Sequence, residues 1–267
     1  MMVGNIVLIA TFGDGLRREL PSCLPILVDR MGNEITRLTA VKAFAVIANS
    51  LLRIDLSCVL DHVISELTAF LRKSTQAGNI GTLNSLVVTY GGQIGSSSYE
   101  TIIAELSTLI SDIDLHMAAL ALELCCTIMV DRRSIKNVSL AVRHKVLPQA
   151  LILIRSALLQ GQALQALQKF FASLVQSANT SFETLLDSLI STAKPSQSGG
   201  LSKHALSSIA QCVAVLCLAA GDQKCASTVE MLKGILNDDS STNSLKKSFM
   251  GIVYPELMVE ISFMMSQ

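Results

Sequence analysis

Seven cysteines and four histidines are the side chains of this 267-residue chain best suited to nucleophilic or metal chemistry. Cys125 and Cys126 are adjacent, and Cys212 and Cys217 are five residues apart, so neither pair has the Cys-x-x-Cys spacing of a zinc site. His116 precedes Cys125 by nine residues on one predicted helix, which separates the two side chains by about 13 Å. The histidines fall on separate predicted helices: His62, His116, His144 and His204. We therefore predict buried free thiols rather than a metal site or a thiol–imidazole pair.

The glycine-rich and acidic motifs also lack the pattern of a catalytic site. YGGQIG has neither the spacing nor the lysine of a phosphate-binding P-loop. Asp112, Asp114 and the pair Asp238-Asp239 lie between predicted helices, where an aspartate caps the helix that follows. No nucleophile is paired with a base and an orienting group. We expect no enzyme activity, cofactor, metal or small-molecule substrate.

Composition bears on the class of partner. Half of the residues are apolar, 16% are charged, and the formal net charge is zero. No lysine/arginine cluster exceeds two residues, which argues against nucleic-acid binding. The mean hydropathy of +0.50 is high. The most apolar window, Ala205–Gly221, contains Ser207, Ser208 and Gln211 within seventeen uncharged residues, so we predict a buried helix rather than a membrane span.

The location expected for the chain follows from its cysteines and its N-terminal sequence. The N-terminal MMVGNIVLIATFGDG has an apolar run but no basic region before it and no cleavage site of small residues, so no signal peptide is predicted. The number of cysteines is odd, and most lie in apolar helical runs. Free thiols are typical of reducing compartments. We expect a cytoplasmic or nuclear protein.

The elements that position these residues follow a helical period throughout. RMGNEITRLTAVKAFAVIANS predicts a helix with Asn33 as its N-cap and one apolar face formed by Ile35, Leu38, Val41, Ala45 and Ala48. VLDHVISELTAFLRK predicts a second helix whose apolar stripe consists of Val59, Val63, Leu67 and Phe70. Strand signatures are nearly absent. The pair therefore predicts one antiparallel helical unit.

This two-helix unit recurs along the chain. Its first helices are predicted to begin near Asn33, Gln76, Asp112, Gln160, Gly200 and Ser241. The mean step of about 41 residues lies within the range of roughly 40–47 residues typical of HEAT and armadillo units. The sequence thus predicts an all-α fold, an α-solenoid of HEAT/armadillo-like antiparallel helix pairs. About six repeats are expected over residues 1–243, followed by a divergent helical tail over residues 244–267.

Local irregularities interrupt the pattern. Pro148 is predicted either to kink its helix or to open the second half of that helix after Lys145. Gly78 and Gly81 weaken the start of the third unit by about 1 kcal/mol each relative to alanine. Pro195 and the following SQSGG predict a loop.

The two ends and the binding face also follow from the repeat pattern. Neither end has the polar outer face of a capping repeat, so we expect a slice of a longer solenoid or a truncated product. The second helices of a solenoid form its concave surface, which offers an extended face to partners. We expect binding on that surface, although no individual contact residue is predicted.

Five segments in series carry a family resemblance: RMGNEITRLTAVKAF, ELTAFLRK, LISDIDLHMAALAL, ALLQGQALQALQKFF and LSSIAQCVA. In this order they resemble the middle HEAT repeats of the plant cullin-associated and neddylation-dissociated family, over roughly Gly4 to Asn243. Two places depart from the family pattern. STQAGNIG, at Ser74–Gly81, is less favourable to helix than the family sequence, and the chain from Ser244 onward does not continue as the next repeat.

The resemblance implies a protein-binding scaffold. Members of this family bind the cullin and RING subunit of ubiquitin ligases that lack their ubiquitin-like modifier, exclude the substrate adaptor and so promote exchange of substrate receptors. Their strongest contacts lie toward the two ends of the solenoid, so the middle repeats would carry the connecting segment. Two alternatives stay open: a HEAT scaffold for another partner, and a truncated product with little retained activity.

Overall fold

The structure is a computed structural model that describes residues 19–73, 77–130, 135–177, 180–193 and 201–237, with short pieces at 251, 254–255, 258–259 and 262. The regular elements of these residues are helical, and none of these residues lies in a strand. The predicted all-α class is confirmed. The predicted loop at Pro195, the predicted helix start at Ser241 and most of the tail lie outside the described residues.

The helices follow one another with short connections. They are α1 (Leu20–Gly32), α2 (Arg37–Ala48), α3 (Leu60–Lys73), α4 (Ala77–Tyr90), α5 (Ser96–Leu109), α6 (Leu115–Val130), α7 (Ile135–Ala141), α8 (Leu147–Leu153), α9 (Gly161–Gln176), α10 (Phe182–Thr192), α11 (Lys203–Ala220) and α12 (Asp222–Asn237). A 3₁₀ turn at Gly91–Gln93 follows α4, and a π turn at Val142–Val146 joins α7 to α8. The first helices α2, α4, α6, α9 and α11 each begin shortly after a predicted start.

The chain divides into two compact units. One consists of Met1–Leu106 with Thr127–Val138, and the other of Ser107–Cys126 with Ser139–Gln267. Within the first unit, α2 packs against α4, α1 against α3, and α3 against α4. Within the second unit, α9 packs against α11, α8 against α10, and both α10 and α12 against α11. Each unit therefore stacks first helix on first helix and second on second, which is the packing of an α-solenoid.

The structure corrects the start of α2. Asn33 was predicted to cap this helix, but α2 begins at Arg37, and Asn33 instead ends α1. Its Oδ1 accepts the backbone N–H of Ile35 at 3.0 Å in a turn. Ile35 is consequently 91% exposed and Leu38 is 49% exposed, although both were predicted on the buried face.

The buried side of α2 differs in part from the predicted stripe. It consists of Ala40, Val41, Ala43, Phe44, Ile47 and Ala48, whereas Ala45 is half-buried. Because α2 has apolar residues on nearly every side, the sequence period alone does not select its rotation. By contrast, the predicted stripe on and just before α3 is confirmed. Its members Val59, Val63, Leu67 and Phe70 are all buried.

The proline and the two glycines behave as local chemistry allows. Pro148 lies in the first turn of α8, directly after the π turn, so the second half of the helix does open here. An absent N–H costs little in a first turn, because that donor has no partner within the helix. Gly78 and Gly81 lie inside α4, which forms nevertheless.

The apolar window predicted to be a buried helix forms α11. By length and composition, this is the one helix of the described residues that could cross a membrane. Half of that window is buried, and α11 contacts α9, α10 and α12. These contacts are those expected of an internal solenoid helix.

Candidate protein-interaction surface

The buried cysteines lie where thiol chemistry is suppressed. All seven are free, and Cys125 and Cys212 have no exposed surface. Burial raises the pKa of both thiols, and it raises the pKa of Cys126 to about 11 and that of Cys217 to about 12. The thiolate is the nucleophile and the metal ligand, so these side chains are held in their unreactive form at neutral pH. In the described part of the chain, no three His, Cys, Asp or Glu side chains group closely enough to hold a metal ion.

The histidines and aspartates whose partners are described make contacts that stabilise the fold. The Nε2 atom of His62 lies 3.9 Å from the Glu66 carboxylate on the same helix. The Nε2 atom of His204 lies 2.7 Å from the Leu159 carbonyl oxygen. Asp114 accepts the N–H of Met117 at 3.0 Å, which confirms its predicted role as a cap of α6. Asp238-Asp239 lie outside the described residues.

Asp112 has a different role from the predicted cap. Its Oδ2 atom accepts a hydrogen bond from the Ser156 hydroxyl at 3.0 Å, so it joins two inter-repeat loops instead. The N–H of Leu158 in turn donates to the Ser156 hydroxyl at 3.2 Å. Ile113 and Leu158, beside this bond, are 92% and 62% exposed.

Several polar bonds join residues about one repeat apart. The Thr89 hydroxyl donates to the Ala48 carbonyl at a separation of 41 residues. The pairs that bond at separations of 43 residues are Thr127 with Asn84, at 2.8 Å, and Gln168 with Gln211, at 3.2 Å. Sequence reasoning missed these residues. The signal that could have found them is a polar residue that recurs at the repeat step on a predicted first helix.

A further pair of this kind is charged. The Lys224 ammonium, on α12, pairs with the Glu183 carboxylate, on α10, at a separation of 41 residues. Hydrogen bonds from Lys224 and from the Ser181 hydroxyl lower the pKa of Glu183 to about 2. Both side chains are about half exposed, so this pair contributes mainly to the register of successive second helices.

A groove of about 290 Å³ lies between α3 and α5, the second helices of consecutive pairs in the first unit. Its lining consists of Asp61, Ile64, Ser65, Thr68, Ala69 and Arg72 from α3 and of Ser97, Ser98 and Thr101 from α5. The lining is rich in hydroxyls and has a charged side chain near each end of its α3 side. It therefore suits a polar, hydrogen-bonding ligand better than an apolar one.

An ion pair lies at one end of this groove. The Nη2 atom of Arg72 lies 2.5 Å from the Oε1 atom of Glu105 on α5. The Glu105 side chain is only 11% exposed, whereas that of Arg72 is 64% exposed. The buried carboxylate thus holds an exposed guanidinium at the groove. The sequence analysis did not predict this partner.

Antiparallel helix pairs that stack at a step of roughly 40 residues define the HEAT/armadillo class of α-solenoid. No family model matches the chain. Over 245 residues, however, it is 68% identical to Cullin-associated NEDD8-dissociated protein 1 of Arabidopsis thaliana. The aligned region covers 90% of this chain and 20% of the relative.

More distant relatives are also named cullin-associated NEDD8-dissociated proteins. Cullin-associated NEDD8-dissociated protein 1 of Drosophila melanogaster is 37% identical to this chain. The alignment covers 78% of this chain and 18% of the Drosophila protein. Cullin-associated NEDD8-dissociated protein 2 of Mus musculus is 32% identical over 88% of this chain and 19% of its own length. The chain belongs to this family, and it spans about a fifth of the length of the relatives it matches.

Proposed function

We propose that this protein is a cullin-binding regulator of ubiquitin-ligase assembly. The observation that carries the proposal is the 68% identity, over 90% of this chain, to an Arabidopsis protein whose name states association with cullins. The proposed partner is a cullin with its RING subunit, in the form that lacks the ubiquitin-like modifier. The proposed activity is promotion of substrate-receptor exchange, as the family resemblance implies.

The fold supports a role in protein binding. Stacked helix pairs expose a continuous row of second helices, and such surfaces bind extended partners. The groove between α3 and α5 lies on this row and offers hydroxyls and both signs of charge. The zero net charge favours a protein partner over a nucleic acid.

The proposed location is the cytoplasm or the nucleus. None of the seven cysteines takes part in a disulfide. Free thiols persist in reducing compartments.

A binding assay tests the proposal. Residues 1–267 are immobilised and exposed to a purified, unmodified cullin–RING complex and to the same complex carrying its modifier. The full-length Arabidopsis relative is the positive control, and circular dichroism with light scattering verifies a folded, defined species. We expect binding to the unmodified complex alone.

The contrary outcome is equally clear. If the folded chain binds neither complex while the full-length relative binds, the proposal is wrong for this chain. The function of the relatives then depends on parts of their length that this chain does not span. The alternatives of another partner or of little retained activity would take its place.

A further inference from the structure

The groove between α3 and α5 has opposite charges at the two ends of its α3 side. Asp61, in the first turn of α3, is exposed and has no ion-pair or hydrogen-bond partner within the described part of the chain. Arg72 follows eleven residues later on the same helix, which places the two charges about 16 Å apart along the helix axis. A ligand that lies along the groove therefore meets a carboxylate at one end and a guanidinium at the other.

The Arg72 side chain is preorganised for binding a ligand. Its Nη2 atom pairs with Glu105, whose side chain is largely buried on α5. A guanidinium has five N–H donors in a planar fork, so this pair leaves donors for a second acceptor. Since the side chain is already held, a ligand carboxylate loses less free energy in ordering it.

The floor between the charges suits a polypeptide backbone. It presents the hydroxyls of Ser65, Ser97 and Ser98 together with the small side chain of Ala69. Small residues let a main chain approach closely, and hydroxyls both donate to carbonyls and accept from N–H groups. The Thr68 hydroxyl does not compete, because it donates to the Ile64 carbonyl at 2.6 Å.

We propose that this groove binds an extended segment of a protein partner that carries a basic side chain against Asp61 and an acidic side chain against Arg72. An extended chain advances about 3.3 Å per residue, so the two side chains would be about five residues apart. The inference rests on the proposed function for the existence of a protein partner. To the proposed function it adds the conformation and the charge pattern of the partner segment that would bind to the second helices.

Peptide selection tests the charge pattern without any cullin. A phage-displayed library of random peptides is selected on residues 1–267, and the enriched sequence is then synthesised and its Kd measured by fluorescence anisotropy. We expect enrichment of one basic and one acidic residue about five positions apart. The variant D61K is expected to weaken binding of that peptide by about tenfold, because like-charge repulsion replaces attraction.

The variant E66K is the matched control. Glu66 lies on the same helix, takes the same change of charge and is not among the residues that line the groove. It should leave the Kd unchanged, and both variants should retain the wild-type circular dichroism spectrum, because Asp61 is exposed and Glu66 is only partly buried. Selection of peptides with no charge pattern, or equal Kd values for wild type and D61K, would overturn the inference.

The cullin assay run in parallel separates the two proposals. Wild-type binding to the cullin complex with no charge pattern among selected peptides would overturn this inference and leave the proposed function standing. A charge pattern among the selected peptides, weaker peptide binding by D61K and no cullin binding by the wild type would together support the groove and overturn the proposed function.

Discussion

At the scale of single residues, burial decides what the cysteines can do. Cys125 and Cys212 are fully enclosed, and removal from water disfavours the thiolate, so the pKa of each is raised. Cys126 follows the same rule, although a hydrogen bond with Ser173 partly opposes it. Cys58 differs because its side chain is exposed. Seven thiols in one chain therefore differ widely in accessibility.

This difference predicts the order of thiol labelling. With Ellman's reagent at neutral pH, Cys58 should react first and the half-buried Cys23 more slowly, whereas Cys125 and Cys212 should react only as the protein unfolds. The absorbance of the thionitrobenzoate that the reagent releases measures the rate of each phase. The C58S variant should lose the fastest phase alone. Rapid labelling of Cys125 or Cys212 in the folded C58S variant would contradict the prediction.

At the scale of elements, backbone conformation distinguishes glycines that look alike in sequence. Gly81 lies inside α4, and a Cβ atom added there would have no neighbour within 4 Å. Gly221, between α11 and α12, has a φ of +94°, and its N–H donates to the Leu218 carbonyl at 3.2 Å. A side chain is tolerated at the first site and strained at the second.

The two glycines should therefore respond oppositely to alanine. Gly81→Ala is expected to raise the free energy of unfolding by about 0.5–1 kcal/mol, because alanine loses less backbone entropy in a helix. Gly221→Ala is expected to lower it by about 1–2 kcal/mol, because φ is positive there. Urea unfolding followed by circular dichroism measures both. A shift of the same sign in the two variants would be inconsistent with this account.

At the scale of the whole molecule, stability is divided among neighbouring helices. The first unit buries Phe44 in the stack of α2 and α4, and the second buries Phe170 in the stack of α9 and α11. In repeat proteins each pair contacts only its neighbours, so local unfolding spreads over short distances.

Truncation of the two phenylalanines should show this division. Phe44→Ala and Phe170→Ala should each lower the free energy of unfolding of the helices around the substituted residue by about 3–5 kcal/mol. Hydrogen exchange measured by mass spectrometry should then show loss of protection in α2 and α4 for the first variant and in α9 and α11 for the second. If either variant accelerated exchange uniformly over all described helices, the chain would unfold as one cooperative body instead.

The sequence by itself determined the features that depend on local order. The helical period and the approximate positions of the first helices follow from residue spacing. The stripe from Val59 to Phe70 follows from the same spacing, because α3 has a distinct polar side. The opening of α8 at Pro148 follows from the chemistry of one residue. The burial of most thiols follows from the apolar runs that contain them.

Only the tertiary structure decided which side of α2 faces inward, because a helix apolar on nearly all sides takes its rotation from its packing partners. It also decided the bonds of Thr127 with Asn84 and of Arg72 with Glu105, which join residues 43 and 33 positions apart. Such pairs depend on the angle and register at which two helices meet. The groove between α3 and α5 has the same origin, since its lining comes from two helices that only the fold brings together.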